Sequence, residues 1–397
     1  MKIAISAGDP SGDEHAANVV TALRARDPRL TFFGMGGSKM RAVGVQTVVD
    51  SESEASVMGF GDVVRALPKL ISAFRKVKDS LAAEKPDLLL LVDYQDFNIR
   101  LAKAAKELGI RTLFYIAPTI WAWRPKRVEL FKKYVDHLAV IFPFEVEVFQ
   151  RLGYERVTYI GHPLIDSNEF CFSDVERLRL REQFGYHSET PIVALFPGSR
   201  KHEIQRHLKV MLQAFQLAKK RIPELQAVVP VPPSIPVESL DNLLSQEPAI
   251  RIIPDGTRTV FGLGNFGIIK SGTSNLQAAF AGLPFTMVYS ASWFTELMVR
   301  LFVNRRTFSI VNIIRPDTVQ EIIQQNFTTE RIASELFRLC EDPAYRNEIQ
   351  SGLLSVVDIL KSSTPNGANS AERLAHLIFK NLPNTSHSSD VLQPTSL

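Results

Sequence analysis

Short unbroken apolar runs alternate with stretches of helical period along most of this chain. The runs are rich in Val, Ile, Leu and Phe and predict strands at 3–6, 31–34, 88–92, 112–116, 137–141 and 157–160. Between them, apolar residues three and four apart predict helices at 12–26, 62–83, 99–108, 126–134 and 145–151. The strand runs are continuous rather than alternating, which predicts a parallel sheet covered on both faces. The rhythm lapses over about 162–190, where charge and turn residues mix with one short helix. It resumes with strands at 192–196, 226–231, 250–253, 267–269 and 285–289, and helices at 202–221, 274–281 and 293–302. The chain from there to 380 reads as helical, and the polar stretch 381–397 as a frayed tail.

This is the pattern of an α/β chain with two Rossmann-like parallel-sheet domains. The expected organisation is a first domain over 1–165, a linker over 166–190 and a second domain over 191–345. Helices over 346–380 either pack back on the first domain or exchange between subunits of a dimer. Two such domains facing one cleft form the GT-B architecture of sugar-nucleotide enzymes. Ligands of open α/β sheets sit beyond the carboxyl ends of the strands, so two facing edges can enclose a donor and an acceptor.

Composition narrows this picture. With 397 residues, 45% hydrophobic and 22% charged, the chain can fill two cores, and fibrous or disordered classes are excluded. Two scattered cysteines, Cys171 and Cys340, give neither a disulfide framework nor a zinc site, so a reducing compartment is expected. Met1 and Lys2 lead straight into a strand without a signal-peptide pattern, and no run is long enough to span a bilayer. The net charge of +4 is mildly basic. Without a nucleic-acid motif it suits anionic lipid or phosphorylated substrates rather than DNA or RNA.

Several turns carry candidate chemistry. The first, "SAGDPSGDEH" (6–15), lacks G-x-G-x-x-G spacing and a following G-K-[S/T], so it is neither a dinucleotide fingerprint nor a P-loop. Gly8, Ser11 and Gly12 border it. "LLLLVDYQDFNIR" sets Asp93 and Asp96 just past a buried strand, where a carboxylate can take a proton from an attacking hydroxyl. Asp96 or Asn98 could instead cap the next helix. "YIAPTIWAWRPKR" gathers Trp121, Trp123, Arg124, Lys126 and Arg127. The tryptophans suit a core, while the bases suit a phosphorylated acceptor or lipid headgroups.

In the second half, "LFPGSRKHEI" offers Gly198 and Ser199 as a tight turn whose amides can meet an anion. Arg200 adds a guanidinium fork matched to phosphate; a surface arginine at an ordinary βα turn is the plainer reading. "KSGTSNLQAAFAGLPF" turns at Ser271, Gly272 and Thr273 into a helix whose free N-terminal amides suit a diphosphate. Asn275 and Gln277 lie on its first turns, and the Gln277 amide can both accept from and donate to ribose hydroxyls. The alternative is a well-capped loop without a ligand.

Apolar residues at 63, 64, 67, 70, 71, 74, 77 and 81 form one helical stripe, with basic residues at 65, 69, 75, 76 and 78. Such a helix packs on its own sheet or lies in a membrane interface. In the second case Val64, Leu67, Leu70 and Phe74 would touch lipid, with Trp293 and Phe294 doing so from the similar stretch 291–306.

Over residues 2–375 the chain resembles the lipid-A-disaccharide synthase family, through "AGDPSGDEH", "GMGGSKM", "VMGF", "DYQDFNIRLAK", "APTIWAWRPKR", "VDHLAVIFPFE", "GHPLID", "FPGSRKHEI", "SGTSNLQAAFAG" and "SIVNII". The resemblance implies a GT-B enzyme, cytoplasmic and peripherally bound to the inner face of the bacterial inner membrane. It would join UDP-2,3-diacylglucosamine to 2,3-diacylglucosamine 1-phosphate, forming a β-1,6 disaccharide and UDP with inversion. It implies Asp93 as general base; Gly198, Ser199, Arg200, Ser271, Gly272, Thr273, Asn275, Gln277 and Asn312 at the UDP; and Gly8, Ser11, Gly12, Asp96, Asn98, Trp121 and Arg124 at the acceptor. No cofactor and no metal are expected, and a homodimer is. The chain departs from the family at Asp9-Pro10, at Gln95 (usually Pro) and at Gln277 (usually Glu). The last exchanges a charge-assisted contact for a neutral one, about 1–2 kcal/mol weaker. Two other readings are a UDP-N-acetylglucosamine 2-epimerase-like enzyme and a catalytically weak UDP-sugar-binding protein. The first needs cleft carboxylates and a shuttling histidine that the motifs do not supply; Gln277 motivates the second.

Overall fold

A computed structural model describes residues 1–55, 62–117, 127–240, 248–290, 307–364 and 367–381. The first sheet has seven strands: β1 (Lys2–Ala7), β2 (Thr31–Gly36), β3 (Gln46–Asp50), β4 (Leu88–Val92), β5 (Arg111–Tyr115), β6 (His137–Val140) and β7 (Val157–Tyr159). Their spatial order is β3-β2-β1-β4-β5-β6-β7. The second sheet has six: β8 (Ile192–Phe196), β9 (Gln226–Val231), β10 (Ile250–Pro254), β11 (Phe266–Lys270), β12 (Phe285–Tyr289) and β13 (Glu321–Ile323), in the order β10-β9-β8-β11-β12-β13. Every neighbouring pair in both sheets is parallel. The strand order reverses between β1 and β4 in one sheet and between β8 and β11 in the other. These two switch points are where an open sheet leaves a crevice for a ligand.

The alternation of side chains shows why the strand runs must be unbroken. Ala4, Leu89 and Leu91 point to one face and pack with Ala73, Val77 and Leu81 of the helix Asp62–Glu84. Ile3, Ile5, Leu88 and Leu90 point to the other and pack with Val19, Val20 and Leu23 of the helix Pro10–Arg26. Each of these leucine, isoleucine and valine side chains, fully buried, contributes roughly 1.5–3 kcal/mol. The β1–β2 pair needs a glycine. At Gly34, with φ at +145°, a Cβ would stand 1.9 Å from the Ile5 carbonyl oxygen.

Two helices meet the stretch expected as a linker: Pro163–Ser167 straddles its start and Asp174–Gln183 lies within it. The second is fastened to the second half: Arg177 donates to the Phe261, Gly262 and Ala281 carbonyls, and Arg181 to Leu263 O and Asn265 Oδ1. After the second sheet, the helices Thr329–Glu341 and Pro343–Ser362 complete its core. The chain then crosses back. Helix Ser370–Asn381 lays Leu374, Ala375 and Ile378 against the first sheet. Tyr159 Oη donating to Leu360 O (3.2 Å) and Ser370 N donating to Asp166 Oδ2 (2.8 Å) hold the crossing.

Candidate active site

At the first switch point the opening turn holds a carboxylate of its own. Asp9 is the N-cap of the helix Pro10–Arg26 and accepts from Gly12 N (2.6 Å) and Ser11 Oγ (3.3 Å). The Gly12 amide is therefore already engaged, whereas Ser11 stays exposed. Four residues on, buried Asp13 accepts from the amides of Gly37 (2.6 Å), Lys39 (2.8 Å) and Met40 (3.2 Å), which ties the "GMGGSKM" loop to the turn. Gly8 has no room for a side chain, since a Cβ there would meet the Tyr94 ring at 2.3 Å.

Tyr94 follows Asp93 at the end of β4, and both residues sit in the left-handed region with φ at +46°. Two consecutive non-glycine residues there store strain on the order of 1–3 kcal/mol each, which tends to concentrate where chemistry demands a particular side-chain direction. Two hydrogen-bonded contacts hold the kink. Asp93 N donates to Tyr115 O (3.0 Å). The buried Asn98 amide donates to the carbonyls of Ser6 (3.2 Å), Val92 (3.1 Å) and Asp93 (2.8 Å), while its oxygen accepts from Ser6 Oγ (2.6 Å). Asn98 thus spends its polar atoms bracing β1 against β4. Burial, with the nearby Asp9 charge adding to it, pushes the half-buried Asp93 carboxyl up to about 6. Such a group is ionised at neutral pH yet far more basic than an ordinary aspartate. Neither Asp96 nor Asn98 caps the following helix: Tyr94 is the N-cap of Gln95–Glu107, which has no side-chain capping bond. Asp96 is exposed and paired with Arg127.

At the second switch point a cavity of about 270 Å³ opens beyond β8 and β11, lined by Gly198, Ser199, Ser271, Gly272, Thr273 and Gln277 among others. Gly198 has φ at +121°, and a Cβ on it would stand 2.5 Å from Glu203 Oε2. A Cβ on Gly272 would meet nothing within 4 Å, so the turn is open on that side. The helix Thr273–Phe280 starts here with no side-chain cap. The contrast with the first turn is physical: one helix N-terminus is occupied by Asp9, the other presents its amides and positive dipole end to a cavity. Arg200, exposed, is the N-cap of the helix Lys201–Arg221 and has no side-chain cap bond.

Three residues expected at a nucleotide have side-chain polar atoms committed to the protein, and the Ser199 amide expected to meet an anion donates to Glu203 Oε2 (3.3 Å). Ser271 Oγ donates to Phe308 O (3.1 Å). Buried Asn275 donates to Lys270 O and accepts from Ser309 Oγ. Asn312 donates to Val319 O and Glu321 Oε1 and accepts from Val319 N, each at 2.9 Å. They shape the turn from behind.

Trp121, Arg124, Trp293 and Phe294 lie outside the described residues, as does the Val64 side chain. On the helix Asp62–Glu84, Leu70 and Phe74 pack inward, Phe74 edge-on to Phe97 at 5.7 Å. Leu67 and Ile71 face out, 48% and 45% exposed. No helix among the described residues is long and apolar enough to cross a membrane. Sequence reasoning assigned no role to Glu203 or Lys270, which line the cavity together. Their 2.8 Å ion pair joins two segments 67 residues apart, and no local pattern announces it.

A family model described as lipid-A-disaccharide synthetase matches residues 3–374. A lipid-A-disaccharide synthase of Trichlorobacter lovleyi is 36% identical over 380 residues, covering 95% of this chain and 97% of that protein. Among solved structures, the UDP-GlcNAc 2-epimerase from Neisseria meningitidis bound to UDP-GlcNAc superposes with a TM-score of 0.65 at 14% identity, covering 96% of this chain and all of the other. A glycosyltransferase from Rickettsia africae gives 0.58 at 10% identity, covering 97% and 99%. At such identities the two structures speak for the fold alone, which is GT-B.

Proposed function

The chain belongs to the lipid-A-disaccharide synthase family and is a glycosyltransferase; on that premise we propose that it joins UDP-2,3-diacylglucosamine to 2,3-diacylglucosamine 1-phosphate with inversion. The observation that carries this reading is the uncapped helix N-terminus opening on the cavity beyond β8 and β11. Free amides and a dipole end favour a diphosphate there. Gly272 leaves room for its approach, Gln277 faces the ribose, and Arg200 neutralises charge from the neighbouring turn.

Across the cleft, the acceptor's 6-hydroxyl attacks the anomeric carbon from the face opposite the diphosphate. Its proton passes to Asp93, the C1–O bond to the diphosphate breaks, and UDP leaves with the electron pair. A base of pKa about 6 suits this transfer near neutral pH. Asn98, expected at the acceptor, acts in this reading as a positioning residue through the backbone of Asp93, and Gly8 as the space in which Tyr94 sits. Ser11 and Asp96, both exposed, would meet the acceptor sugar from within their contacts to Asp9 and Arg127. The exposed Leu67 and Ile71, beside Lys69, Arg75 and Lys78, suit a lipid surface where acylated substrates reside.

Incubating the purified protein with both acylated substrates tests the reading. A disaccharide 1-phosphate and stoichiometric UDP are expected, with a β linkage by NMR. Conversion of UDP-N-acetylglucosamine to its C2 epimer, or UDP-sugar binding without turnover, would replace it.

A further inference from the structure

The cavity beyond β8 and β11 holds a pair of charges that the reaction as proposed does not use. Lys270, the last residue of β11, donates from Nζ to Glu203 Oε1 at 2.8 Å, and the two side chains are only 16% and 14% exposed. The other Glu203 oxygen accepts from Ser199 N (3.3 Å). The Tyr289 ring lies 5.8 Å from the ammonium. Among the described residues, Glu203 is the only hydrogen-bond acceptor of Lys270, although an ammonium carries three donors.

An ion pair this withdrawn from water pays desolvation that its own attraction repays only when further hydrogen bonds satisfy the remaining donors. The spare donors lie in a cavity also lined by Ser271, Gly272, Thr273 and Ser274, at the uncapped start of a helix. The helix end alone supplies about half a positive charge. The Lys270 ammonium beside it, its charge offset by the Glu203 carboxylate that also accepts from Ser199 N, adds directed N–H donors for phosphoryl oxygens.

Resting on the nucleotide reading above, we propose that Lys270 is a diphosphate ligand: it keeps one bond to Glu203 and gives its free donors to phosphoryl oxygens of the bound nucleotide. Glu203 is then a positioning residue, holding the ammonium at the mouth of the helix. A nucleoside has no phosphoryl oxygen to take those donors, so Lys270 brings selectivity for the diphosphate over the nucleoside.

Calorimetric titration of the full chain with UDP and with uridine tests this. Lys270→Gln should weaken UDP roughly tenfold to a hundredfold, the scale of lost charge-assisted hydrogen bonds, and leave uridine within about twofold, because a nucleoside offers no charge to that ammonium. Lys270→Arg should restore most of the loss. A purely structural lysine would move both ligands alike. On the unmodified protein, UDP but not uridine should protect Lys270 from acetylation by an N-hydroxysuccinimide ester, read by peptide mass spectrometry. Equal loss for both ligands, no loss, or labelling indifferent to UDP overturns the assignment of Lys270 alone. Failure of the unmodified protein to bind UDP overturns the nucleotide reading, and this inference with it.

Discussion

Replacing Asp93 by Asn should stop turnover and make the protein more stable, and the second effect should depend on pH in a way that identifies the cause. The Asp93 carboxyl is raised from 3.8 to about 6, chiefly by burial and then by the Asp9 charge. A rise of that size corresponds to about 3 kcal/mol against the ionised form if taken in full. The side chain is half-buried, so solvent screening reduces this to about 1–2 kcal/mol. The sign follows from proton linkage. Between pH 4 and 6 the folded chain holds a proton that the unfolded chain has released, so this group's contribution falls as pH rises through that window. Above about 6 both forms are ionised and the folded state carries the whole penalty. Asp93→Asn has no charge to bury, and asparagine tolerates the left-handed region well. The variant should therefore melt about 2–8 °C higher than the parent at pH 7.5 and close to it at pH 4, while turnover falls by about 10²–10⁴-fold. Thermal denaturation of both proteins across pH 4–8, beside a disaccharide assay, reads this directly. A stability gap that does not change with pH, or turnover near that of the parent, would refute the reasoning.

Other outcomes follow from the same geometry. Gly8→Ala drives a methyl into the Tyr94 ring, so turnover should fall about tenfold or more, alongside a loss of about 1–3 kcal/mol in urea denaturation; unchanged kinetics would remove Gly8 from the acceptor side. Asp13→Ala strips the acceptor from three backbone amides, a loss of about 3 kcal/mol or more, and a change below about 0.5 kcal/mol would show those bonds to be idle. The double change Leu67→Ser with Ile71→Ser should lower co-sedimentation with anionic vesicles and leave stability within about 0.5 kcal/mol, as for other surface positions; unaltered sedimentation would assign that face to water.

What could be read from the sequence, and what could not, divides along physical lines. Central strands were legible because both faces are buried: 88–92 is apolar throughout and became β4. Of the four edge strands, β7 and β10 were legible and the other two were not. β3 reads "QTVVD" with one buried residue, and β13 has three residues with one buried, so neither leaves an apolar run. Short helices such as Ser38–Ala42 and Thr257–Leu263 are set by caps and tertiary packing rather than by a periodic stripe. Residues around the two switch points were visible as turns after strands, which is why Asp93, Gly198 and Gln277 could be named in advance. The hydrogen bonds that divide them into exposed and committed groups were not visible. Asn98 and Asn312 look like ligand residues in a string of letters, and only the backbone carbonyls around them reveal that their amides are already taken. The Glu203–Lys270 pair was hidden for the opposite reason, since two ordinary charges became neighbours only when β8 and β11 paired.

The helix Ser370–Asn381 sets a schedule for making the protein. The first sheet can assemble once residue 160 has emerged from the ribosome, but the face bearing Ile3, Ile5, Leu88 and Leu90 still awaits Leu374, Ala375 and Ile378. At elongation rates of about 5–20 residues per second, roughly 220 further residues take about 10–45 s. For that interval a nascent lobe displays a greasy flank to the crowded cell. Interrupted translation would leave that flank bare for good, a substrate for chaperones and proteases.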